Sequence, residues 1–476
     1  MHNTAPSTIP LPLFGHAADQ TIALRNGDTI SARTFLRHVT ELANALPAGQ
    51  FGINLCEDRY HFLVAFAAVL LKGQTNLLPP SHTAKTIHYI AERYPDSYCL
   101  LDHEFAGLDL PKHTFGIPPI TDREKKETAA QHGHMQTPCI PYNHVACIPF
   151  TSGSTGAPNP NPKTWGRLLT VTKLIQKAFA IRDGQPLSLI ATVPPQHMYG
   201  LETSILLPLV SGTCMHSGRP FYPEDIRRTL EAVEGPKVLI TTPIHLRACV
   251  HARLHWPSVE FIISATAPLP AELAMEAEQA FHCEVLEIYG CTEFGSMATR
   301  RTVQGDRWRL FDGLQLAENA GEFVVDAQFL PNPLALSDII EILPEHHFRL
   351  LGRKTDLVNI AGKRASMADL NIKLLAIPGV KDGVIFYPEE KSDYITRLIA
   401  FVVAPELSQQ QILSELKQHF DTAFLPRPIY KVAELPREKS GKLPRKTLLA
   451  LLEQVSAPGP EPQPLMAATG KNSSSQ

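Results

Sequence analysis

The sequence predicts an α/β protein with mostly parallel sheets, divided into a large N-terminal domain and a smaller C-terminal domain. At 476 residues the chain is too long for one ordinary domain, and its hydrophobic content of 44% can fill a large core. Strand-length apolar runs alternate with helix-length runs along most of the chain, which is typical of crossover units in a parallel sheet. A charged break at 352–356 separates this alternation from a second, shorter one. We therefore predict an N-terminal domain over 1–352 and a C-terminal domain over 353–455.

Hydrophobic periodicity defines the elements of the N-terminal domain. An amphipathic pattern predicts a helix over 35–46, whereas the continuous apolar run over 62–71 predicts a helix buried on all sides. Residues 124–136 are polar and are predicted to form a surface connection. The remaining predicted elements are strands over 51–55, 73–78, 145–150, 187–193, 237–241, 259–264 and 285–288, and helices over 165–180 and 271–281.

The pattern changes after Gly321. Residues 322–325 are strand-like, and the alternation over 338–342 and 347–351 predicts a hairpin. Residues 456–476 are rich in Pro, Ser, Ala and Gly, which predicts a disordered tail. The second alternation predicts strands over 357–360, 383–387 and 398–404, helices over 367–376 and 409–419, and a short helix ending near 455.

Composition excludes several classes of protein. The net charge of −3 and the pI of about 6.7 give no electrostatic footprint for nucleic acid. Eight cysteines without a CxxC pair favour reduced thiols in a cytoplasmic protein over a disulfide framework. Residues 1–15 do not have the pattern of a secretory signal, and we expect no membrane span because no apolar run reaches about 18 residues.

A Ser/Gly loop after the strand over 145–150 is the first candidate site. Glycines let the backbone approach a ligand, and hydroxyls donate to phosphate oxygens, so the loop suits polyphosphate. The alternative is an ordinary solvated turn. A Walker A loop is excluded, because no Gly-Lys-Ser/Thr follows at the required spacing. The loop consists of Thr151, Ser152, Gly153, Ser154, Thr155 and Gly156.

Two later motifs also follow predicted strands. In Pro194-Pro-Gln-His-Met-Tyr-Gly200, His197 could line a pocket at a strand end, or it could be a satisfied buried histidine. Tyr289-Gly-Cys-Thr-Glu-Phe-Gly295 combines an aromatic face, a hydroxyl and a carboxylate. That set could stack a base, donate to a phosphoryl oxygen and hold Mg²⁺, which takes oxygen ligands. The alternative is a turn with a solvated glutamate.

The order of these motifs carries a family resemblance. From about residue 35 to 452 the chain resembles the adenylate-forming superfamily, which comprises acyl-CoA synthetases, adenylation domains of peptide synthetases and firefly luciferase. The resemblance rests on the stretches 150–158, 194–200 and 289–293, on Gly321-Glu322 with Asp338, on Gly352-Arg353 with Gly362-Lys-Arg364, and on Ser440-Gly-Lys442.

The resemblance implies a fold and a reaction. The fold would be a large N-terminal domain with a small, mobile α+β C-terminal domain, joined near Thr355. A small carboxylic acid would react with ATP in the presence of Mg²⁺ to give acyl-AMP and pyrophosphate. A thiol would then take the acyl group, supplied by CoA or by the phosphopantetheine of an acyl carrier protein, which would be the partner.

The resemblance also implies roles for single residues. Glu293 would bind Mg²⁺, Thr292 would donate to the α-phosphate, and the Ser/Gly loop would hold the β and γ phosphates. Tyr289 would stack on adenine. Lys442 would bridge the carboxylate and the α-phosphate, where negative charge develops. The remaining implied residues are His197 near the substrate carboxylate, Ala265, Ala267 and Pro268 as the opposite adenine wall, Asp338 on the ribose hydroxyls, and Arg353 in support of that sugar.

Some positions depart from the family pattern. The lysine usual after the loop's proline is replaced by Asn159, and we expect Lys163 to reach the phosphates from a longer turn, or the phosphate contacts to be weaker. The hinge position is Thr355, and Thr266 stands where glycine is usual. The phosphate loop with its displaced lysine resembles synthetases of aryl-polyene pathways, which would favour an aromatic or β-hydroxy acid. Two alternatives are a catalytically weak nucleotide-binding homologue and a luciferase-like oxygenase.

Overall fold

The computed structural model describes residues 9–119, 135–152, 158–319, 321–353, 357–360, 363–388, 397–420, 422–437 and 443–456. The fold is the predicted α/β class, with a large N-terminal part and a smaller C-terminal part. No helix among these residues is long and apolar enough to cross a membrane. Most of the expected connection over 124–136 (residues 124–134), the expected hinge residue Thr355, and all of the expected tail over 456–476 except Ser456 lie outside the described residues.

The first sheet holds the strand that leads to the Ser/Gly loop. Val145–Ser152 pairs in parallel with Thr75–Leu78, and the strands beyond it are also parallel. The helix Arg59–Leu71 packs on this sheet and is buried on all sides, as its uniformly apolar sequence predicts. In spatial order the described strands are Pro158–Pro160, Val145–Ser152, Thr75–Leu78, Phe51–Asn54, Ser97–Leu101 and Lys112–Thr114, with Lys163–Thr164 also paired to Val145–Ser152.

The second sheet is larger and carries the other motifs. Its centre is parallel, whereas both of its margins are antiparallel hairpins. The antiparallel strand Asp338–Leu343 pairs with His347–Arg353, which confirms the predicted hairpin. In spatial order the described strands are Asp338–Leu343, His347–Arg353, Trp308–Leu310, Gly295–Arg301, Glu284–Cys291, Phe261–Ser264, Lys237–Thr241, Ser188–Ala191, Cys214–His216, Thr21–Arg25 and Asp28–Ser31.

Helices cover the faces of these sheets and close the hydrophobic cores of the N-terminal part. The first helix begins at Ala32 rather than at the predicted residue 35, because the Ser31 side chain caps it by accepting from the Thr34 N–H at 3.2 Å. The described helices of the N-terminal part are Ala32–Ala45, Arg59–Leu71, Ala84–Arg93, Trp165–Ala178, Met198–Leu201, the π-helical turn Glu202–Leu206, Leu207–Ser211, Pro223–Ala232, Pro243–Ala252 and Ala271–Phe281.

Small accessory strands and a separate C-terminal core complete the chain. An antiparallel sheet of Leu314–Asn319, Glu322–Ala327 and Leu334–Ala335 packs beside the larger sheet. The C-terminal part has its own core. Arg247 donates to the Leu375 carbonyl at 3.3 Å, which joins the two parts. The C-terminal elements are the hairpin Leu357–Ile360 with Lys363–Ser366, the strands Asp382–Phe386, Ile399–Val403 and Ile429–Lys431, and the helices Met367–Leu375, Gln409–His419 and Arg445–Ser456.

Candidate active site

One edge of the larger sheet collects three of the predicted motifs. Ser188–Ala191, Lys237–Thr241, Phe261–Ser264 and Glu284–Cys291 are parallel neighbours, so their carboxyl ends lie at the same edge. His197, the loop after Ser264 and the Tyr289 motif each follow one of these ends. Because ligands of open α/β sheets bind at the carboxyl ends of the strands, this edge is the candidate site.

The Tyr289 motif is the tip of a β-hairpin. Cys291 pairs with Gly295, which leaves Thr292, Glu293 and Phe294 as a three-residue loop; we call residues 291–295 the acidic turn. A Cβ on Gly290 would lie 2.3 Å from the Gly295 carbonyl oxygen. Gly295 has a φ of +108°, and a Cβ there would lie 2.3 Å from Glu202 Oε1. Both glycines are therefore needed for the turn to form.

The acidic turn presents its polar groups and buries its aromatic group. Phe294 is 1% exposed and anchors the turn in the core, whereas Glu293 is exposed and Thr292 is half-buried. Among the described residues, no three His, Cys, Asp or Glu side chains converge as a metal site. One exposed carboxylate beside a hydroxyl fits Mg²⁺, which is commonly held by one or two carboxylates together with substrate phosphates.

Tyr289 and Asp338, which were predicted separately, are in direct contact. The Tyr289 hydroxyl donates to Asp338 Oδ2 at 2.6 Å. The Tyr289 ring is tilted against Trp308 and Phe348, with centroid distances of 5.5 and 5.6 Å. Asp338 is also directly opposite Arg353 in the strand register. The structure therefore brings together three of the residues predicted to hold a nucleotide.

The predicted adenine wall is held by a buried ion pair that sequence analysis missed. Ala265 is buried, whereas Ala267 and Pro268 are exposed. The Leu269 N–H, one residue further, donates to Glu287 Oε1 at 3.2 Å. Glu287 is 2% exposed and forms an ion pair with Arg300 at 2.5 Å.

Glu287 lies two residues before Tyr289 on the strand Glu284–Cys291, so it connects the predicted adenine wall to the opposite side of the predicted pocket. Burial raises the pKa of Glu287, and the Arg300 charge opposes that shift. The Arg300 guanidinium also lies 4.4 Å above the Trp308 ring, which contacts Tyr289. A glutamate inside the apolar run Val285-Leu-Glu-Ile288 was the available sequence signal.

His197 lies six residues after the end of the strand Ser188–Ala191 and is the N-cap residue of a short helix. It is half-buried, and its main-chain carbonyl accepts from the Leu201 N–H at 2.7 Å. A Cβ on Gly200 would lie 2.0 Å from the Pro194 carbonyl oxygen, so this tight turn requires glycine. The Tyr199 hydroxyl is within 3.0 Å of the carbonyls of Thr241 and Ile263, which places Tyr199 across the ends of two neighbouring strands.

The Ser/Gly loop connects two antiparallel strands. Thr151 lies opposite Asn159 and Ser152 lies opposite Pro158, so residues 153–157 connect the strands of a hairpin. Thr151 is half-buried and Asn159 is exposed. Gly153, Ser154, Thr155 and Gly156 lie outside the described residues, as do Gly362 and Lys442. Their predicted roles remain predictions.

Comparison with known proteins decides the family. The family model described as AMP-binding enzyme matches residues 15–328, about two thirds of the chain. The chain belongs to this AMP-binding, adenylate-forming family.

Three relatives illustrate the breadth of this AMP-binding family. Tyrocidine synthase 3 of Brevibacillus parabrevis is 22% identical over 88% of this chain, but the match spans 7% of that protein's length. The 3,4-dihydroxybenzoate–[aryl-carrier protein] ligase of Bacillus anthracis is 23% identical over 63% of this chain and 73% of its own. The solved o-succinylbenzoate coenzyme A synthetase of Bacillus subtilis, in complex with ATP and magnesium, has a TM-score of 0.74 at 17% identity, covering 90% of this chain and 97% of that one.

Lys163 of this AMP-binding enzyme has a contact that its sequence did not predict. It pairs with Cys147 in the strand register and is 2% exposed. Its ammonium donates to the main-chain carbonyl of Glu293. Burial, followed by repulsion from Arg167, lowers the pKa of Lys163 to about 8. The structure thus places the Lys163 ammonium against the acidic turn, and its predicted contact with phosphates stays a prediction.

A buried glutamate lies on the other side of the acidic turn. Glu202 is 1% exposed, and its Oε2 accepts from the Ser296 N–H at 3.0 Å and from the Ser296 hydroxyl at 2.6 Å. Its Oε1 has no hydrogen-bond partner among the described residues. Burial raises the pKa of Glu202 to about 7, against the opposing effects of Ser296, Lys163 and Arg167. No motif in the sequence indicates a role for Glu202.

Proposed function

We propose that this protein activates a carboxylic acid with ATP as acyl-AMP and then transfers the acyl group to a thiol. In the first half-reaction a carboxylate oxygen attacks the α-phosphorus, and the bond to the leaving pyrophosphate breaks. In the second, the thiol sulfur attacks the acyl carbon, and AMP leaves. The observation that carries the proposal is the Tyr289–Asp338 hydrogen bond, which lies four residues along the chain from the exposed Glu293.

The nucleoside half of ATP lies, in this proposal, between the Tyr289 hairpin and the loop after Ser264. Tyr289 stacks on adenine, and Ala265, Ala267 and Pro268 form the opposite wall. Asp338 accepts hydrogen bonds from the ribose hydroxyls, with Arg353 beside it in register. The bond from Tyr289 fixes the Asp338 carboxylate, because a charged acceptor at 2.6 Å makes a strong hydrogen bond.

The phosphate half lies along the acidic turn. Thr292 donates to an α-phosphate oxygen, and Glu293 holds Mg²⁺. The ion, when bound, supplies positive charge that neutralises the phosphates and the developing charge. The hydroxyls of Thr151, Ser152, Ser154 and Thr155 donate to the β and γ phosphates. Asn159 lies at the base of that loop and provides no charge, so Lys442 is the cation proposed to bridge the carboxylate and the α-phosphate.

The acid lies near His197 at the carboxyl end of Ser188–Ala191. Tyr199, whose hydroxyl donates to carbonyls at the ends of two neighbouring strands, is proposed to border the acid. We propose an aromatic or β-hydroxy acid as substrate. The proposed acceptor is the thiol of CoA or of a carrier-bound phosphopantetheine, since relatives of both kinds match the chain.

The test is carboxylate-dependent exchange of labelled pyrophosphate into ATP, with hydroxybenzoates, hydroxycinnamates and short β-hydroxy acids. We expect one class to support exchange well above the rate without acid. Thioester formation with CoA and with a holo-carrier protein then identifies the acceptor. Nucleotide binding without exchange for any acid would indicate a catalytically weak homologue. Oxygen consumption that depends on acid and ATP would indicate a luciferase-like oxygenase.

A further inference from the structure

We propose that Lys163 and Arg167 are positioning residues that hold the main chain of the acidic turn, so that Glu293 and Thr292 are fixed before ATP and Mg²⁺ bind. The inference rests on the proposed function of Glu293. It gives the displaced lysine of the Ser/Gly loop a role at the metal end of the site. The two residues act through the carbonyl of Glu293 and do not contact the reacting atoms.

Both cations converge on one carbonyl. The Lys163 ammonium and the Arg167 guanidinium each donate to the Glu293 carbonyl oxygen, the latter at 2.7 Å. Arg167 also donates to the Phe294 carbonyl at 3.2 Å, and its guanidinium lies 5.5 Å from the Phe294 ring centroid. Hydrogen bonds from charged donors are about twice as strong as neutral ones. Two of them on a three-residue loop restrain it far more than hairpin pairing alone.

The opposite end of the turn is held by the carboxyl group of Glu202. Glu202 Oε2 accepts from both the N–H and the hydroxyl of Ser296. Its other oxygen occupies the space that a side chain on Gly295 would need. Cations therefore bind the carbonyls at positions 293 and 294, and a carboxylate binds the amide at 296. The turn is fixed from both sides by groups that stand outside it in the sequence.

The burial of Lys163 would be costly if it served packing alone. A buried ammonium requires compensation, and an apolar side chain of similar volume is often as stable or more stable. Among the described side chains, the Lys163 ammonium forms no ion pair; it donates to the Glu293 carbonyl, and the Glu202 charge acts on it from further away. The ammonium of Lys163 therefore binds the main-chain carbonyl of Glu293, the residue proposed to hold the metal.

The chain offers a matched control. Lys237 is also buried, at 9% exposure, and its ammonium also donates to main-chain carbonyls, those of Leu230 and Val233. It begins the strand Lys237–Thr241, at the opposite end from the site. Lys237→Met removes the same chemical group and a comparable set of bonds without touching the acidic turn. It reports the cost of losing a buried lysine as such.

The first experiment measures the Mg²⁺ concentration that half-saturates binding of a fluorescent ATP analogue to the full chain. We expect Lys163→Met and Arg167→Met to raise it about tenfold, the lower end of what loss of a partner behind a metal ligand costs. Lys163→Arg, which keeps the charge, should raise the half-saturating Mg²⁺ concentration only slightly. Lys237→Met should leave this concentration unchanged. An equal effect of Lys163→Met and Lys237→Met would overturn the proposal. Arg167→Met keeps the test valid if Lys163→Met does not fold, because Arg167 is only half-buried.

The second experiment needs no ligand. Hydrogen exchange of the amides at 292–296 should be at least about tenfold faster in Lys163→Met than in wild type, with Lys237→Met as the control. Unchanged exchange in both Lys163→Met and Arg167→Met would overturn the positioning role. If the wild-type protein binds no ATP analogue at any Mg²⁺ concentration, the proposed function fails. The exchange measurement still decides whether the two cations hold the turn.

Discussion

Removing the charge of Arg300 tests the connection between the two walls of the proposed nucleotide pocket. In Arg300→Leu the carboxylate of Glu287, 2% exposed, loses its ion-pair partner and keeps only the Leu269 and Thr302 hydrogen bonds. Breaking a buried pair on one side costs about 3–5 kcal/mol of unfolding free energy. The double variant Glu287→Leu/Arg300→Leu should recover most of that loss, because no uncompensated charge remains.

Nucleotide affinity should behave differently from stability. The Leu269 N–H loses its acceptor in the double variant, so the loop that forms the proposed adenine wall stays loose although the protein is stable again. We expect ATP-analogue affinity to stay about tenfold below wild type, as one charged hydrogen bond is worth about 1.5–3 kcal/mol.

Urea unfolding and analogue titration measure the two quantities side by side. Lys177→Ala, which breaks the exposed Lys177–Asp312 pair (71% and 50% exposed), should cost less than about 1 kcal/mol and leave affinity unchanged. The reasoning is refuted if Arg300→Leu is no worse than this control, or if the double variant binds the analogue as wild type does.

Three further predictions concern pH, backbone strain and domain movement. The pKa of Glu202 is about 7 in the folded state and about 4.5 in the unfolded state, so the folded state binds more protons between these two pH values. The unfolding free energy should therefore fall by about 3 kcal/mol as the pH rises through this range. Urea unfolding at several pH values should show this decrease, and Glu202→Gln should remove it. Thr266 has a φ of +79°, a backbone conformation that costs a β-branched residue about 1–2 kcal/mol. After the entropic cost of glycine is subtracted, Thr266→Gly should stabilise the protein by about 0.5–1 kcal/mol and raise its melting temperature. A lower melting temperature would contradict this prediction. Thr355→Pro should preserve pyrophosphate release and reduce thioester formation from synthetic acyl-adenylate. Lys442→Ala should reduce pyrophosphate release and preserve thioester formation from synthetic acyl-adenylate. Equal losses in both assays for both variants would contradict a mechanism with two domain orientations.

Much of the fold could be predicted because its signals are local. The apolar run over 62–71 and the alternation over 338–351 each mark one element, and both are present. The hairpin of the Tyr289 motif was not predicted, because its second strand, Gly295–Arg301, begins with a glycine and small residues and ends with two arginines. No period-2 pattern of large apolar side chains marks it, although its first four residues are buried.

In the candidate site, too, the local signals could be predicted from the sequence and the long-range contacts could not. Tyr289, Glu293 and Asp338 could be found because their motifs are short and ordered, although the 2.6 Å contact between Tyr289 and Asp338 joins positions 49 residues apart. For Lys163 the sequence predicts a contact with phosphates, but it does not predict the contact with the Glu293 carbonyl, because that partner is 130 residues away. The buried carboxylate of Glu202 lies in a stretch whose neighbours are apolar or small. Only the tertiary structure shows that such a residue faces a tight glycine turn.

In the proposed function, the acidic turn holds the metal for acid activation. The most direct measurement is acid-dependent ATP–pyrophosphate exchange by wild type and Glu293→Gln over a Mg²⁺ titration, with melting temperature as the check on folding. The amide keeps the shape of Glu293 but not its charge, so we predict exchange about 100-fold lower, or about 2.7 kcal/mol, at limiting Mg²⁺. Exchange near the wild-type level at every Mg²⁺ concentration would contradict the account.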